Sequence, residues 1–218
     1  MTMLGFLTPQ TRNVKVFIQV FIPTTRHICS SANCQSEEYV RKFILENTEI
    51  AGQQSLTPQV KLRLFTPNCR FWRERPELWP FEDPYWAIYW PGGQALSRFL
   101  LDNPAVCRGK TVLDLGSGCG ASAIAAKLSG ATHVVANDID TGMYAYESCV
   151  KPLCMWLDRC IKTHGTKVLI GDPGRAQFEE HGIRRLLHQL AEFELPKSVR
   201  EENYGLTCSS VWCYRPEL

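Results

Sequence analysis

The sequence predicts an α/β fold with a parallel sheet, and two segments carry that prediction. Lys110–Leu115 is the clearest strand in the chain. It runs into the turn Gly116-Ser117-Gly118-Cys119-Gly120 and then into an alanine-rich helix, Ala121–Leu128. A second strand, Ala131–Asn137, follows at once and ends in Asn137-Asp138-Ile139-Asp140. Strand, glycine turn, helix and strand in that order form the βαβ unit of a Rossmann-like sheet.

Around this unit, the other elements read in chain order. Residues 1–36 hold no Asp or Glu, and Arg12, Lys15 and Arg26 stand among Thr, Ser, Phe, Val and Ile. An acid-free, weakly basic, hydroxylated start reads as a mitochondrial targeting segment or a disordered one. The apolar stretch Val14–Ile22, stopped by Pro23, leaves a secretory signal as the rival. Ser36–Glu46 predicts a short helix with Tyr39, Phe43 and Ile44 on one face. In Ser55–Phe65, Val60, Leu62 and Leu64 alternate with Lys61 and Arg63, which is strand periodicity. Pro67, Pro76, Pro80 and Pro84 then break regular structure among Phe71, Trp72, Trp79, Phe81, Tyr85, Trp86, Tyr89 and Trp90. Such a stretch is either an ordered loop on a pocket or a satellite aromatic core. Gly93–Asn103 predicts a helix ended by Pro104, with Ala95, Leu96, Phe99 and Leu100 on one side. Gly130 suits the end of the 121–128 helix. A helix around Val150–Lys162, a strand at Lys167–Ile170, a helix at Gly182–Phe193 and a strand at Leu206–Tyr214 complete the chain.

Bulk composition narrows the function classes. A chain of 218 residues with 44% hydrophobic residues suits one domain with a real core. A net charge of +2 is too small to argue for nucleic-acid or membrane binding by field alone. No run approaches the ~20 apolar residues of a membrane span. Ten cysteines include the pairs Cys29–Cys34, Cys149–Cys154 and Cys208–Cys213. None is a C-x-x-C, and no histidine pattern completes a zinc site, so no metal is expected. Reduced thiols of an intracellular protein are the simpler reading.

The glycine turn carries the chemistry. Gly116 and Gly118 let backbone approach a ligand, and the helix starting near Ala121 directs its positive end to the same place. Gly116, Gly118 and Ala121 formally satisfy the dinucleotide pattern G-x-G-x-x-G/A, which alone is weak. Asp114, two residues before the first glycine, shifts the balance. A carboxylate there repels a pyrophosphate but attracts the ammonium and sulfonium of S-adenosylmethionine. Asp138, ending the next strand, is placed to accept hydrogen bonds from ribose hydroxyls, with Asp140 in reserve. Each alone could be an ordinary turn residue.

With these residues in hand, the chain resembles the seven-β-strand methyltransferases. Within them it is similar to the electron transfer flavoprotein beta-subunit lysine methyltransferases. The resemblance rests on SLTPQVKLRLFTPNCRFW, LWPFEDPYWAIYWPGGQALSRFLLDNP, RGKTVLDLGSGCGASAIAAK, ANDID, WLDRCIKTHGTKVLIGDPGR and GLTCSSVW. It implies a Rossmann-like methyltransferase domain over residues 37–218. It also implies S-adenosylmethionine as donor, the beta subunit of electron transfer flavoprotein as protein substrate, and a mitochondrial-matrix location, with the cytoplasm as alternative. Asp114, Gly116, Ser117, Gly118, Gly120 and Asp138 match the cofactor motifs, and Trp90 and Gly92 match the motif ahead of the cofactor strand.

That fold needs two more βα units between the Asp138 strand and the Lys167 strand, where only Thr141–Thr166 lies. One helix with its connections fits; two further units do not. The expectation is therefore a truncated sheet in which Lys167–Ile170 closes up beside Lys110–Leu115. The missing fourth strand would deliver an Asp-x-Phe-Tyr motif, and Gly142–Glu147 keeps aromatics without its leading Asp. No catalytic residue is carried over. The alternative to an active enzyme is a catalytically impaired chain that acts only as a binding protein. Asp172-Pro173-Gly174-Arg175 either shapes a substrate mouth or is a plain turn. His133, His164, His181 and His188 read as surface or core residues rather than general bases.

Overall fold

The computed structural model describes residues 14–19, 37–75, 78, 85–138, 146–174 and 182–215. Its strands are β1 (Val14–Gln19), β2 (Glu49–Ala51), β3 (Leu62–Leu64), β4 (Thr111–Leu115), β5 (His133–Asn137), β6 (Lys167–Asp172), β7 (Leu187–Glu194) and β8 (Cys208–Tyr214). Its α-helices are α1 (Glu37–Asn47), α2 (Pro91–Asp102), α3 (Ala121–Leu128), α4 (Tyr146–His164) and α5 (Lys197–Glu202). Six strands form the main sheet in the order β5-β4-β1-β6-β8-β7, and β2 and β3 form a separate antiparallel pair. Strands β5, β4, β1 and β6 run parallel, while β8 is antiparallel to both of its neighbours.

Helices cover both faces of the sheet. On one face, Ala95, Leu96, Phe99 and Leu100 of α2 and Ala125 and Ala126 of α3 pack on Val112, Leu169 and Val211. On the other, Leu157 of α4 packs on Val168, Ile170, Trp212 and Tyr214. The split between Leu169 and its neighbours Val168 and Ile170 follows the two-residue period of a strand. Leu96 and Leu100 are fully buried, and each contributes roughly 2 kcal/mol by leaving water. The helix face predicted from Ala95, Leu96, Phe99 and Leu100 is therefore the one that buries. Gly130 follows α3 with φ of 89°, and its N–H donates to the Lys127 carbonyl, ending the helix as expected.

Three expectations need correction. First, β6 does not close up beside β4. Strand β1 lies between them, parallel to both, with Val16 opposite Leu113 on one side and Val168 on the other. Second, Gly182–Phe193 is not a helix: a 3-10 turn at Gly182–Leu186 leads into β7. Leu186, Leu187 and Leu190 imitate helical spacing because β7 is irregular between Gln189 and Ala191. The extra residue moves the inward positions from Leu187, which packs with the α4-side core, to Leu190, Ala191 and Phe193 on the other face. Third, the strand expected at Ser55–Phe65 shrinks to Leu62–Leu64, although Val60, Leu62 and Leu64 are buried and Lys61 and Arg63 exposed as the alternation requires. Turns tied by Ser55 N–H to Gly52 O and Val60 N–H to Thr57 O occupy its first half.

Between β5 and β6 the described residues hold a single helix, α4. Asp140, most of Gly142–Glu147, His181, Arg175, Trp79, Phe81, Cys29 and Cys34 lie outside the described residues.

Candidate functional site

The parallel strands end on one edge of the sheet, and the glycine turn leaves β4 there. Ligands of open α/β sheets bind outside the carboxyl ends of such strands. Gly116, Gly118 and Gly120 have φ of 65°, 51° and 76°. Side chains rarely adopt this left-handed region, so three such residues in five make glycine the fitting choice. Gly120 is the N-cap of α3, and its carbonyl accepts from Ile124 N–H. Two bonds tie the turn to the end of β5. Ser117 N–H donates to Asn137 O at 3.1 Å, and Gly118 N–H donates to Asp138 Oδ2 at 2.5 Å. The second strand thus positions Asp138 directly against the glycine turn, with its carboxylate at an amide that could otherwise face a ligand.

Asp114 is fully buried on the α2–α3 side of β4. Neither carboxylate oxygen has a hydrogen-bond partner among the described residues. Burial raises its pKa to about 7; the Ala123 amide nearby opposes the rise, and the Asp138 charge adds to it. A buried, unpartnered carboxylate is costly in isolation and becomes favourable beside a cation. The donor set therefore fits the ammonium of an aminoacyl nucleoside and disfavours a pyrophosphate. Cys119, half-buried in the same turn, has its thiol pushed up to about 12 by burial, with the Asp114 and Asp138 charges adding to the effect. It is a neutral thiol at physiological pH and no nucleophile.

The segment before α2 forms the wall of the turn. The backbone of Trp86 lies 3.6 Å from the point where a Cβ on Gly118 would stand. Tyr89 is buried, and its hydroxyl shares a 2.8 Å hydrogen bond with Thr57. Burial drives its phenol well above the ordinary value, so it stays neutral. Gln94 Nε2 donates to Tyr89 O at 2.9 Å, while Gln94 Oε1 accepts from Leu56 N–H at 3.1 Å. One amide thus staples two loops to the start of α2. Sequence reasoning passed over Gln94 and Thr57; a polar residue embedded in the apolar face of a predicted helix was the available signal.

Trp90, half-buried, is the N-cap of α2, and its carbonyl accepts from Gln94 N–H at 3.0 Å. Gly92 has a packing role. A Cβ there would collide with the Gly171 carbonyl, and one on Gly171 would collide with the Gly92 carbonyl. The two glycines let α2 rest backbone to backbone on β6. Asp172 follows Gly171, is buried, and accepts from Gly174 N–H at 2.6 Å, closing a tight Asp-Pro-Gly turn. His133, His164 and His188 are exposed, away from this constellation.

Residues 94–145, which include the whole glycine turn and Asp138, match the family model of ribosomal protein L11 methyltransferase (PrmA). Similarity to curated proteins reaches further along the chain. The electron transfer flavoprotein beta subunit lysine methyltransferase of Danio rerio is 54% identical over 230 aligned positions, covering 88% of this chain and 88% of the relative. The Homo sapiens protein of that name is 49% identical over 216, covering 81% and 82%. A Caenorhabditis elegans homolog is 32% identical over 230, covering 78% and 94%. Near-half identity over most of both chains decides the family: this protein belongs to the electron transfer flavoprotein beta subunit lysine methyltransferase family.

Proposed function

We propose that this chain binds S-adenosylmethionine at the β4–β5 edge and transfers its methyl group to lysine side chains of the electron transfer flavoprotein beta subunit. The observation that carries the cofactor reading is Asp114, a buried carboxylate whose oxygens have no hydrogen-bond partner among the described residues, beside a turn of three left-handed glycines. The substrate reading is supported by the relatives' names at about half identity. A mitochondrial-matrix location is supported by the acid-free first 36 residues.

The bound cofactor supplies an electrophilic methyl on a sulfonium, already a good leaving group. The chain supplies position. Asp114, once ionised, would hold the ammonium; Asp138, which accepts from the Gly118 amide, would also accept from ribose hydroxyls; the Trp86 backbone and Trp90 would bound the approach. The incoming lysine ammonium must first give up one proton to water; the neutral amine then takes the methyl group and its positive charge, and the sulfur leaves as a neutral thioether. Orientation and partial exclusion of water can supply most of such a rate enhancement without a dedicated base.

A second reading has its own support. The Danio rerio match runs over 230 positions, more than the chain has residues, as an alignment across an interior gap does. Only α4 joins β5 to β6 among the described residues. A chain shortened there could hold its protein partner without turnover. The test is to incubate the full chain with S-adenosylmethionine and recombinant electron transfer flavoprotein beta subunit. Lysine methylation is read by peptide mass spectrometry and complex formation by calorimetry. Methylated lysines establish the first reading; a complex without methylation establishes the second; neither outcome rejects both.

A further inference from the structure

The connection from β7 to β8 holds a residue whose backbone conformation is unfavourable for its side chain. Tyr204 has φ of 56° and is the one residue other than glycine with a left-handed backbone among the described residues. It follows Asn203, the C-cap of α5. The backbone there is fixed: Asn203 N–H and Gly205 N–H donate to Arg200 O, Leu206 N–H donates to Asn203 O, and Asn203 Nδ2 donates to Val199 O. Helices that end this way place glycine, or sometimes asparagine, in the left-handed position, because a Cβ there crowds the following carbonyl. Here the position carries a tyrosine. Packing does not compensate for the strain: the side chain is fully exposed and makes no hydrogen bond or ring contact among the described residues. A strained residue that gains nothing inside its own chain points to a role outside it.

The sheet register says where that role lies. Ser210 of β8 is paired with Asp172 at the carboxyl end of β6, and Cys208 is paired with Glu194 at the end of β7. The 195–207 connection, Tyr204 included, therefore stands on the edge that carries the glycine turn. Helix α5 also leans towards the wall of the site. Ser198 Oγ donates to Gln54 O at 3.4 Å, and two residues on, Leu56 N–H donates to Gln94 at the start of α2. Strand β8 is three strand spacings from β4, about 14 Å. A standard protein interface covers about 800 Å² on each partner, a disc of about 16 Å radius. A protein that presents a lysine to this edge covers Tyr204 as well.

We propose that Tyr204 is a docking residue for the protein substrate, its ring held out by a strained helix end to meet the surface around the accepting lysine. The inference rests on the beta subunit of electron transfer flavoprotein being the partner of this chain. A ring open on its faces takes the stem and charge of a lysine or arginine. Glu202, two residues earlier, is exposed and forms no ion pair among the described residues. Ring and carboxylate together fit a basic flank beside the accepting lysine. Tyrosine is among the side chains that most often anchor interfaces.

The test uses the full chain with Tyr204→Gly, which removes both ring and strain, and Tyr204→Phe, which keeps the ring. Calorimetry measures affinity for recombinant electron transfer flavoprotein beta subunit and, separately, for S-adenosylmethionine; thermal unfolding measures stability. Tyr204→Gly is expected to bind the beta subunit about tenfold more weakly, to bind S-adenosylmethionine like the parent, and to melt no lower than the parent, because glycine suits the left-handed position. Tyr204→Phe is expected to bind the beta subunit nearly as the parent does. The inference is overturned if Tyr204→Gly binds the beta subunit as well as the parent, or if it melts lower, which would make the ring a structural residue. A parent chain that does not bind the beta subunit overturns the substrate reading and this inference with it, whereas a binding parent with an unimpaired Tyr204→Gly overturns this inference alone.

Discussion

Replacing Asp114 with Asn should stabilise the ligand-free protein at neutral pH and weaken its cofactor binding. Burial holds the Asp114 carboxyl protonated up to about pH 7, against 3.8 for the free side chain. Between those values the unfolded chain has released this proton and the folded chain has not. Folding stability is therefore fully present below about pH 4 and falls by about 1.4 kcal/mol per pH unit up to pH 7. The total penalty at pH 8 is about 4 kcal/mol. Asn does not ionise, so Asp114→Asn escapes that penalty but buries an extra amide donor, which costs about 1–3 kcal/mol. Near pH 4 the variant should be equal to the parent or weaker, and near pH 8 more stable by about 1–3 kcal/mol. Urea unfolding across this range measures both curves. Cofactor binding should move the opposite way. A cationic ligand must first drive the proton off Asp114, so the parent's affinity for S-adenosylmethionine should fall about tenfold per unit below pH 7. Asp114→Asn should bind tens-fold more weakly at pH 8, the worth of a charge-assisted hydrogen bond, without that pH dependence. Stability curves that run parallel in pH, or equal affinity in both proteins, would refute the role given to Asp114.

Two further outcomes follow from the geometry. Gly171→Ala should destabilise the protein by about 3 kcal/mol in urea unfolding, the upper end of overpacking costs, because the new methyl meets the Gly92 carbonyl and no flexible side chain can yield. Cys119, held neutral up to about pH 12, should resist iodoacetamide at pH 8 in the folded protein and react only on unfolding, as peptide mapping would show.

What could be read from the sequence was whatever local chemistry dictates. The strand, glycine turn and helix at 111–128 were legible because each conformation there demands a particular residue type, and Asp114 because a charge in a buried strand requires a reason. Helix α2 was legible because Ala95, Leu96, Phe99 and Leu100 share the face that packs. Strand β7 was misread because one extra residue in a strand shifts an alternating pattern into a helical one. The Gly92–Gly171 contact was out of reach because each glycine has an innocent local explanation; only the distant pairing of α2 with β6 makes both necessary.

Strand β1 shows where such reading stops. Val14–Ile22 is short, apolar and followed by proline, and a targeting segment and a fully covered strand make the same compositional demand. What separates them is whether two partners with unpaired edges wait at the right spacing, and that is a property of residues about 100 positions away in β4 and about 150 away in β6. Comparing only the segments close in sequence to the glycine turn led to a sheet that closes up over its missing interior. Closing up would drag α2 off β6 or α3 off β4, and both seats are made of fully buried side chains or backbone. Importing a strand leaves both seats untouched and satisfies both edges, so the helical layer, already committed by its own packing, selects that solution.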